Sequence, residues 1–165
     1  MVCEDCDEDN DQKTISKAGN NGDAYPTDHN NRTIVRLSPS GLVSTVFSTA
    51  PLVSLGIYQS PEGVLLVTLK DNESELYKPV SHSRRLIRHV TLTGDVIREN
   101  EHQGDGQTRL FTVPQSVKQN TNPDICVGNW TSESTGELVI LSFTGSLKFV
   151  YRGQKLEKKI LIQLM

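Results

Sequence analysis

The chain has little of what most function classes require. It has no run of about 18 apolar residues, so no segment is long enough to cross a bilayer as a helix. It has only three cysteines, an odd and sparse set that builds no disulfide framework. Cys3 and Cys6 in "CEDC" have metal-ligand spacing. A structural zinc takes four ligands, usually from two such pairs, and no second pair follows. Neither a metal nor a cofactor is expected. Aromatic residues make up 5% of the chain, which leaves few platforms for stacking bases. The net charge is −3, so nothing draws the whole molecule toward nucleic acid or an anionic membrane. The N-terminus "MVCEDCDEDNDQK" is acidic and lacks the apolar stretch of a secretory signal. A cytoplasmic protein with no membrane partner is the expectation. The sequons at Asn31, Asn72 and Asn129 then carry no glycan.

What is present is texture. Residues 1–20 are polar and charged with almost nothing to bury, and read as a disordered acidic tail. From residue 22 onward short β-branched runs alternate with Gly, Pro, Asn, Asp and Ser. No window shows a helical stripe before the final "KLEKKILIQLM", so residues 154–165 read as an irregular or short helical tail. The rest predicts an all-β fold.

The β region repeats. "RLSPSGLV", "HVTLTGDV" and "ILSFTGSL" each close a turn on a glycine, at Gly41, Gly94 and Gly145, 53 and 51 residues apart. Apolar residues recur four before (Leu37, Val90, Leu141), seven before (Ile34, Ile87, Leu138) and two after (Val43, Val96, Leu147). Hydroxylated residues recur one before (Ser40, Thr93, Thr144) and three before (Ser38, Thr91, Ser142). Each copy predicts strand, tight turn, strand, with glycine supplying a permissive backbone. A further strand precedes each hairpin: "GDAYPTD", "GVLLVTL" and "PDICVGN". A fourth lies between units in "LVSLGIYQSP" and "RLFTVPQSV". Four short antiparallel strands at a period near 50 predict the blades of a β-propeller, partial here at about three. The expected blades span 21–62, 63–122 and 123–153, the third lacking its outer strand. A β-sandwich is the other all-β reading, but it needs no matched glycines.

"NGDAYPTDHNNRTIVRLSPSG" resembles the NHL repeat at Gly22, Asp23, Tyr25, Asp28, Asn30, Asn31, Arg32, Ile34 and Gly41. It departs at Ala24 and at Pro26, which removes a ladder hydrogen bond. The second and third units are similar to the divergent NHL-like blades of tripartite-motif proteins, above all the expanded invertebrate set. The resemblance implies a six-bladed propeller that recruits protein or RNA for a ubiquitin ligase. It also implies that ligase chemistry lies elsewhere, because the cysteines and histidines of a RING or B-box and the heptads of a coiled coil are not in this chain. The chain therefore reads as a fragment or truncated product. Open blade faces would make it prone to self-association.

No catalytic constellation emerges. Some NHL-like propellers are metal-dependent lyases with histidines near the axis, and lactonase-like hydrolases form a related class. Here His29, His82, His89 and His102 read as solvated loop histidines. Asp28, Asn30 and Asn31 read as turn caps. Arg32 either reaches the propeller face or pairs with an acidic neighbour. The most basic stretch, "KPVSHSRRLIRHV", offers Lys78, Arg84, Arg85 and Arg88. They are the residues of a candidate single-stranded RNA surface, and the alternative is a solvated strand edge. Trp130, placed in a loop, is either an interface anchor or a packing residue. The expected function is non-catalytic recognition of a protein, a ubiquitination substrate being one form of it. RNA binding is the alternative, and a lyase or hydrolase the third class.

Overall fold

A computed structural model of the chain describes residues 22–152. The expected tails, 1–20 and 154–165, lie outside the described residues. Eleven strands form three antiparallel sheets. The first contains β1 (Thr27–Asp28), β2 (Thr33–Leu37) and β3 (Val43–Ser48). The second contains β4 (Val53–Gln59), β5 (Val64–Lys70), β6 (Arg85–Thr91) and β7 (Val96–Asn100), paired in that order. The third contains β8 (Val113–Gln119), β9 (Ile125–Trp130), β10 (Gly136–Leu141) and β11 (Leu147–Tyr151), also in order.

The repeated turn is one hydrogen-bond device, used at the three repeated glycines and again at Ser60–Gly63. The Gly41 amide donates to the Ser38 carbonyl at 2.9 Å, Gly94 to Thr91 at 3.0 Å and Gly145 to Ser142 at 2.8 Å. The hydroxyl three before the glycine then accepts from the amide one after it: Leu42 to Ser38, Asp95 to Thr91 and Ser146 to Ser142, at 3.0–3.1 Å. A side chain shorter than serine's, or one without an acceptor, leaves that amide unmatched. The regularity of the sequence is therefore a folding requirement.

The sheets divide the chain differently from the expected units. Bounds at 62/63 and 122/123 cut between β4 and β5 and between β8 and β9. Those pairs are joined by short turns and full antiparallel ladders, so β4 and β8 open their sheets. Nor does the third sheet lack an outer strand, since β11 pairs with β10 from Leu138 to Leu141. The three-stranded sheet is the first. There, Pro26 has no amide to donate, and the stretch before Thr27 contributes only isolated bridges, that between Ala24 and Leu37 among them. The Val35 amide still uses the Pro26 carbonyl at 3.1 Å.

Apolar side chains fill both faces of the second sheet. Leu65, Val67, Leu69, Leu86 and Val90 join Tyr25, Ile34 and Phe47 of the first. Leu66 and Ile87 join Val117, Ile125, Val127, Val139 and Leu141 of the third. Burial on both faces explains why β5 is a continuous apolar run without alternation. Between β4 and β8 the backbones come close: a Cβ on Gly56 would lie 2.9 Å from the Gln115 carbonyl oxygen.

Candidate functional site

Antiparallel alternation sorts the connections to two ends. The glycine turns, including Ser60–Gly63, lie at one end. The other end carries 29–32, 49–52, 71–84, 101–112 and 131–135, the two longest connections among them. Arg32, Lys78, Arg84, Arg85 and Trp130 all come to this loop end, on three different sheets. Arg88 lies within β6.

The longest connection, 71–84, is built around buried charge. Arg85, the first residue of β6, is 0% exposed. Its Nη1 donates to the Asp71 carbonyl at 3.0 Å and lies 3.3 Å from Asp71 Oδ2. Its Nη2 donates to Ser74 Oγ at 2.8 Å and to the Glu75 carbonyl at 3.3 Å. Asp71 closes the same loop from the other side. Its Oδ1 accepts from the amides of Glu73 and Ser74 and from Ser74 Oγ, and its Oδ2 from the Arg84 amide. Burial alone would raise the Asp71 carboxyl, but the Ser74 bonds, the Arg85 charge and the Arg84 amide outweigh it and bring it down to about 2. Arg109, from the 101–112 segment, binds the far half. Its guanidinium donates to the carbonyls of Ser83 at 2.6 Å, Val80 at 2.7 Å and Ser81 at 2.9 Å. Two arginines thus hold the loop through its own carbonyls. The loop presents Leu76 and Val80 to solvent, 39% and 46% exposed.

The basic stretch is not a free cationic strip. Arg84 donates to Glu101 and Glu99, each at 2.8 Å. Arg88 grips Glu99 Oε1 with Nε and Nη2, both at 2.7 Å. Arg85 is sealed from any surface ligand by the loop it supports, so neither the contact role nor the solvated-edge reading describes it. Lys78 is well exposed and 3.1 Å from Glu75. Arg32 comes to the loop face, where it donates to the Pro51 carbonyl at 2.8 Å. Trp130 is the last residue of β9 and half-buried, not a loop residue. Asp28 accepts from the Asn31 amide and side chain, the capping role expected of it. Sequence reasoning passed over Asp71, Glu99, Glu101, Arg109, Leu76 and Val80. The repeat held one usable signal: carried outward from the Gly94 turn, the hairpin sets Arg88 opposite Glu99.

His89 departs furthest from the solvated loop histidine expected of it. It lies in β6 and is 1% exposed. Its Nε2 is 2.9 Å from Asn100 Oδ1, and Nδ1 accepts from Arg98 Nε at 3.4 Å. That pairing fits the neutral ring protonated on Nε2. Burial and the neighbouring Arg98 charge depress it to about 4, against the favourable Asn100 bond. A depressed base gives stability that is full above its unfolded value of 6.5 and is lost as pH falls toward 4. The loss should reach about 3 kcal/mol. Urea unfolding of the wild type and His89→Gln across this range checks it: the variant should lack that slope. An equal slope in both would assign the loss to other groups.

Stacked antiparallel sheets, one of three strands and two of four, each burying its faces against its neighbours, define the chain as part of a β-propeller. Solved structures agree at the level of fold. Virginiamycin B lyase from Staphylococcus aureus matches with a TM-score of 0.57 and 16% identity over 86% of this chain and 41% of that one. A protein of unknown function from Bacteroides caccae matches with a TM-score of 0.50 and 15% identity over 84% of this chain and 44% of that one. The chain thus spans less than half the length of these structures. No family model matches the sequence, and no curated protein matches it. Among the described residues no helix is long and apolar enough to cross a membrane.

Proposed function

We propose that this propeller segment is a non-catalytic recognition module that holds a protein partner against its loop end. The observation behind this reading is the 71–84 connection. It is long, it is fixed in place by Arg85 and Arg109, and it carries exposed Leu76 and Val80. A loop ordered before binding loses little entropy when a partner docks, so modest apolar contacts suffice for affinity. The NHL-like repeat pattern supports the same assignment, with the module serving a cytoplasmic tripartite-motif-type ligase and the partner its ubiquitination substrate. The pairing of Arg84 and Arg88 with Glu99 and Glu101 weighs against RNA, because phosphate would have to displace carboxylates already bonded. The likeness to virginiamycin B lyase is one of fold at 16% identity and brings no chemistry with it.

The test compares proteins cross-linked to the wild type with those cross-linked to Leu76→Asp/Val80→Asp. A partner of the loop end is recovered at least about tenfold less by the variant, while its unfolding midpoint stays put. An unchanged set of partners removes the loop from the interface. Titration with single-stranded RNA at low salt is the companion measurement. Binding lost in Arg84→Glu/Arg88→Glu would transfer the function to RNA.

A further inference from the structure

The seam between the second and third sheets is fastened through one buried imidazole. The 142–146 turn meets β7 at two points. At the first, the Arg98 guanidinium stands over the Phe143 ring, 5.3 Å from its centroid, and its Nη2 donates to the Phe143 carbonyl at 2.8 Å. At the second, Gly145 lies on Asn100, whose side chain fills the space a Cβ would take. His89 holds both β7 side chains from behind, Asn100 on Nε2 and Arg98 on Nδ1. Among the described residues the first seam has no counterpart. There the Gly94 turn rests on the Val46 carbonyl and on Phe47. Thr45 and Phe47 stand where Arg98 and Asn100 do, four and six after the turn glycine.

The two contacts answer differently to a proton. Neutral His89 donates from Nε2 and accepts at Nδ1. Protonation puts a hydrogen on Nδ1. The bond from Arg98 Nε then loses its acceptor, and two cations face each other across 3.4 Å, one of them a ring that is 1% exposed. Asn100 keeps its bond, since Nε2 still donates. Leu66, opposite His89 in β5, and Ile87, two before it in β6, share its face with Leu141 of the third sheet. The 142–146 turn is uncharged. Arg98 is the charged group that bears on the ring. Nearer the loop end of this seam, Arg85 pairs with Asp71 and Glu137 with Arg152. Arg88 and Glu99 pair on the opposite face of the second sheet. Arg98 is half-buried, so its guanidinium can swing out to water. His89 has no such exit.

We propose that His89 is an acid-operated latch on this seam: its protonation expels Arg98, which frees the Phe143 side of the 142–146 turn, while Asn100 keeps Gly145 seated and the sheets stay formed. A histidine is the side chain suited to this task, because a neighbouring charge decides where it titrates. Burial and the Arg98 charge bring the latched ring to about 4, so the latch opens only in acid. The protonated ring and the Arg98–Phe143 clamp exclude each other. By linkage, whatever removes the clamp must make His89 easier to protonate, and by the same free energy that protonation weakens the clamp. The latch is independent of the recognition reading, so either can fail alone.

Acid titration of the whole chain, followed by NMR from neutral pH to below 4, tests it. The Phe143 ring and the amides of Phe143 and Thr144 should change with the same midpoint as the His89 ring. The amides of β5, β6, β9 and β10 should stay protected through that change. Arg98→Leu should raise the His89 midpoint by about one pH unit and leave the Phe143 signals indifferent to it. His89→Gln carries a carboxamide that can accept from Arg98 and donate to Asn100 without titrating, so its turn should stay latched at every pH. Arg98→Leu alters a half-exposed side chain and decides the matter even where His89→Gln does not fold. A turn indifferent to pH in the wild type, an unmoved midpoint in Arg98→Leu, a turn that still opens in His89→Gln, or strand protection lost at the midpoint of the turn overturns the proposal.

Discussion

Replacing Arg85 by methionine should cost about 3 kcal/mol, the largest loss expected from any side chain in the loop end. The substitution keeps the apolar stem, so the cost is not a cavity. It comes from what the guanidinium leaves behind. Asp71 is nearly buried and stays ionised far below its ordinary range. Without Arg85 its charge is held by the Ser74, Glu73 and Arg84 donors and the nearby Lys70, and the carbonyls of Asp71 and Glu75 each lose one partner. Those remaining donors keep the loss at the low end for a broken buried pair. A double-mutant cycle with Asp71→Asn decides the cause. The two single costs should exceed the double cost by at least about 1 kcal/mol, because the neutral amide no longer needs the cation. Additive costs would mean that the pair is incidental. Hydrogen exchange gives the local signature: the amides of Glu73, Ser74 and Arg84 should lose protection before the strands do. The pair is also visible in acid. A depressed carboxylate stabilises fully above its unfolded value of 3.8 and loses that contribution as pH falls through 2. This window lies below that of His89, so the two acid losses separate.

The fold was legible where one local device carried it, and obscure where the argument had to cross strands. Ser38, Thr91 and Ser142 each accept the same amide through a hydroxyl three before a glycine, so the register of the hairpins stood out in a single sequence. The inner strands did not. β4 and β8 carry irregular pairing at Ser54/Gly56 and at Pro114/Ser116. Those interruptions break the alternation that would have assigned each strand to the sheet after it. Charge was misjudged for a different reason. Arg84, Arg85 and Arg88 form a basic run along the chain, but their carboxylates arrive from Asp71 before β6 and from Glu99 and Glu101 after it. A net positive stretch in sequence is thus a neutral network in space. Leu76 and Val80 gave no periodic signal at all, since a loop has none. What makes them a surface is the pair of guanidiniums beneath: Arg85, which reads in sequence as a surface cation, and Arg109, which carries no signal there.

Alanine at the three repeated glycines should give three different results, though the local turn is the same. Gly94 has φ near +99, so alanine pays the left-handed cost of about 1–2 kcal/mol. Its Cβ would also collide with the Val46 carbonyl, which is backbone of the neighbouring sheet and cannot swing aside. Overpacking of that kind adds a further 1–3 kcal/mol or so, and Gly94→Ala should lose about 3 kcal/mol in all. Gly145 has φ near +91 and meets the Asn100 side chain. That side chain can rotate, but doing so leaves His89 without its Oδ1 acceptor, so about 2 kcal/mol is expected. Gly41 has φ near +82 and no described atom within 4 Å of its Cβ position, and Gly41→Ala should cost the backbone term alone, about 1 kcal/mol. Urea unfolding reads all three. The order Gly94, Gly145, Gly41 follows from the seating of each turn on the sheet before it. Equal losses would mean that the glycines answer only to the turn, and that the sheets are not joined through them.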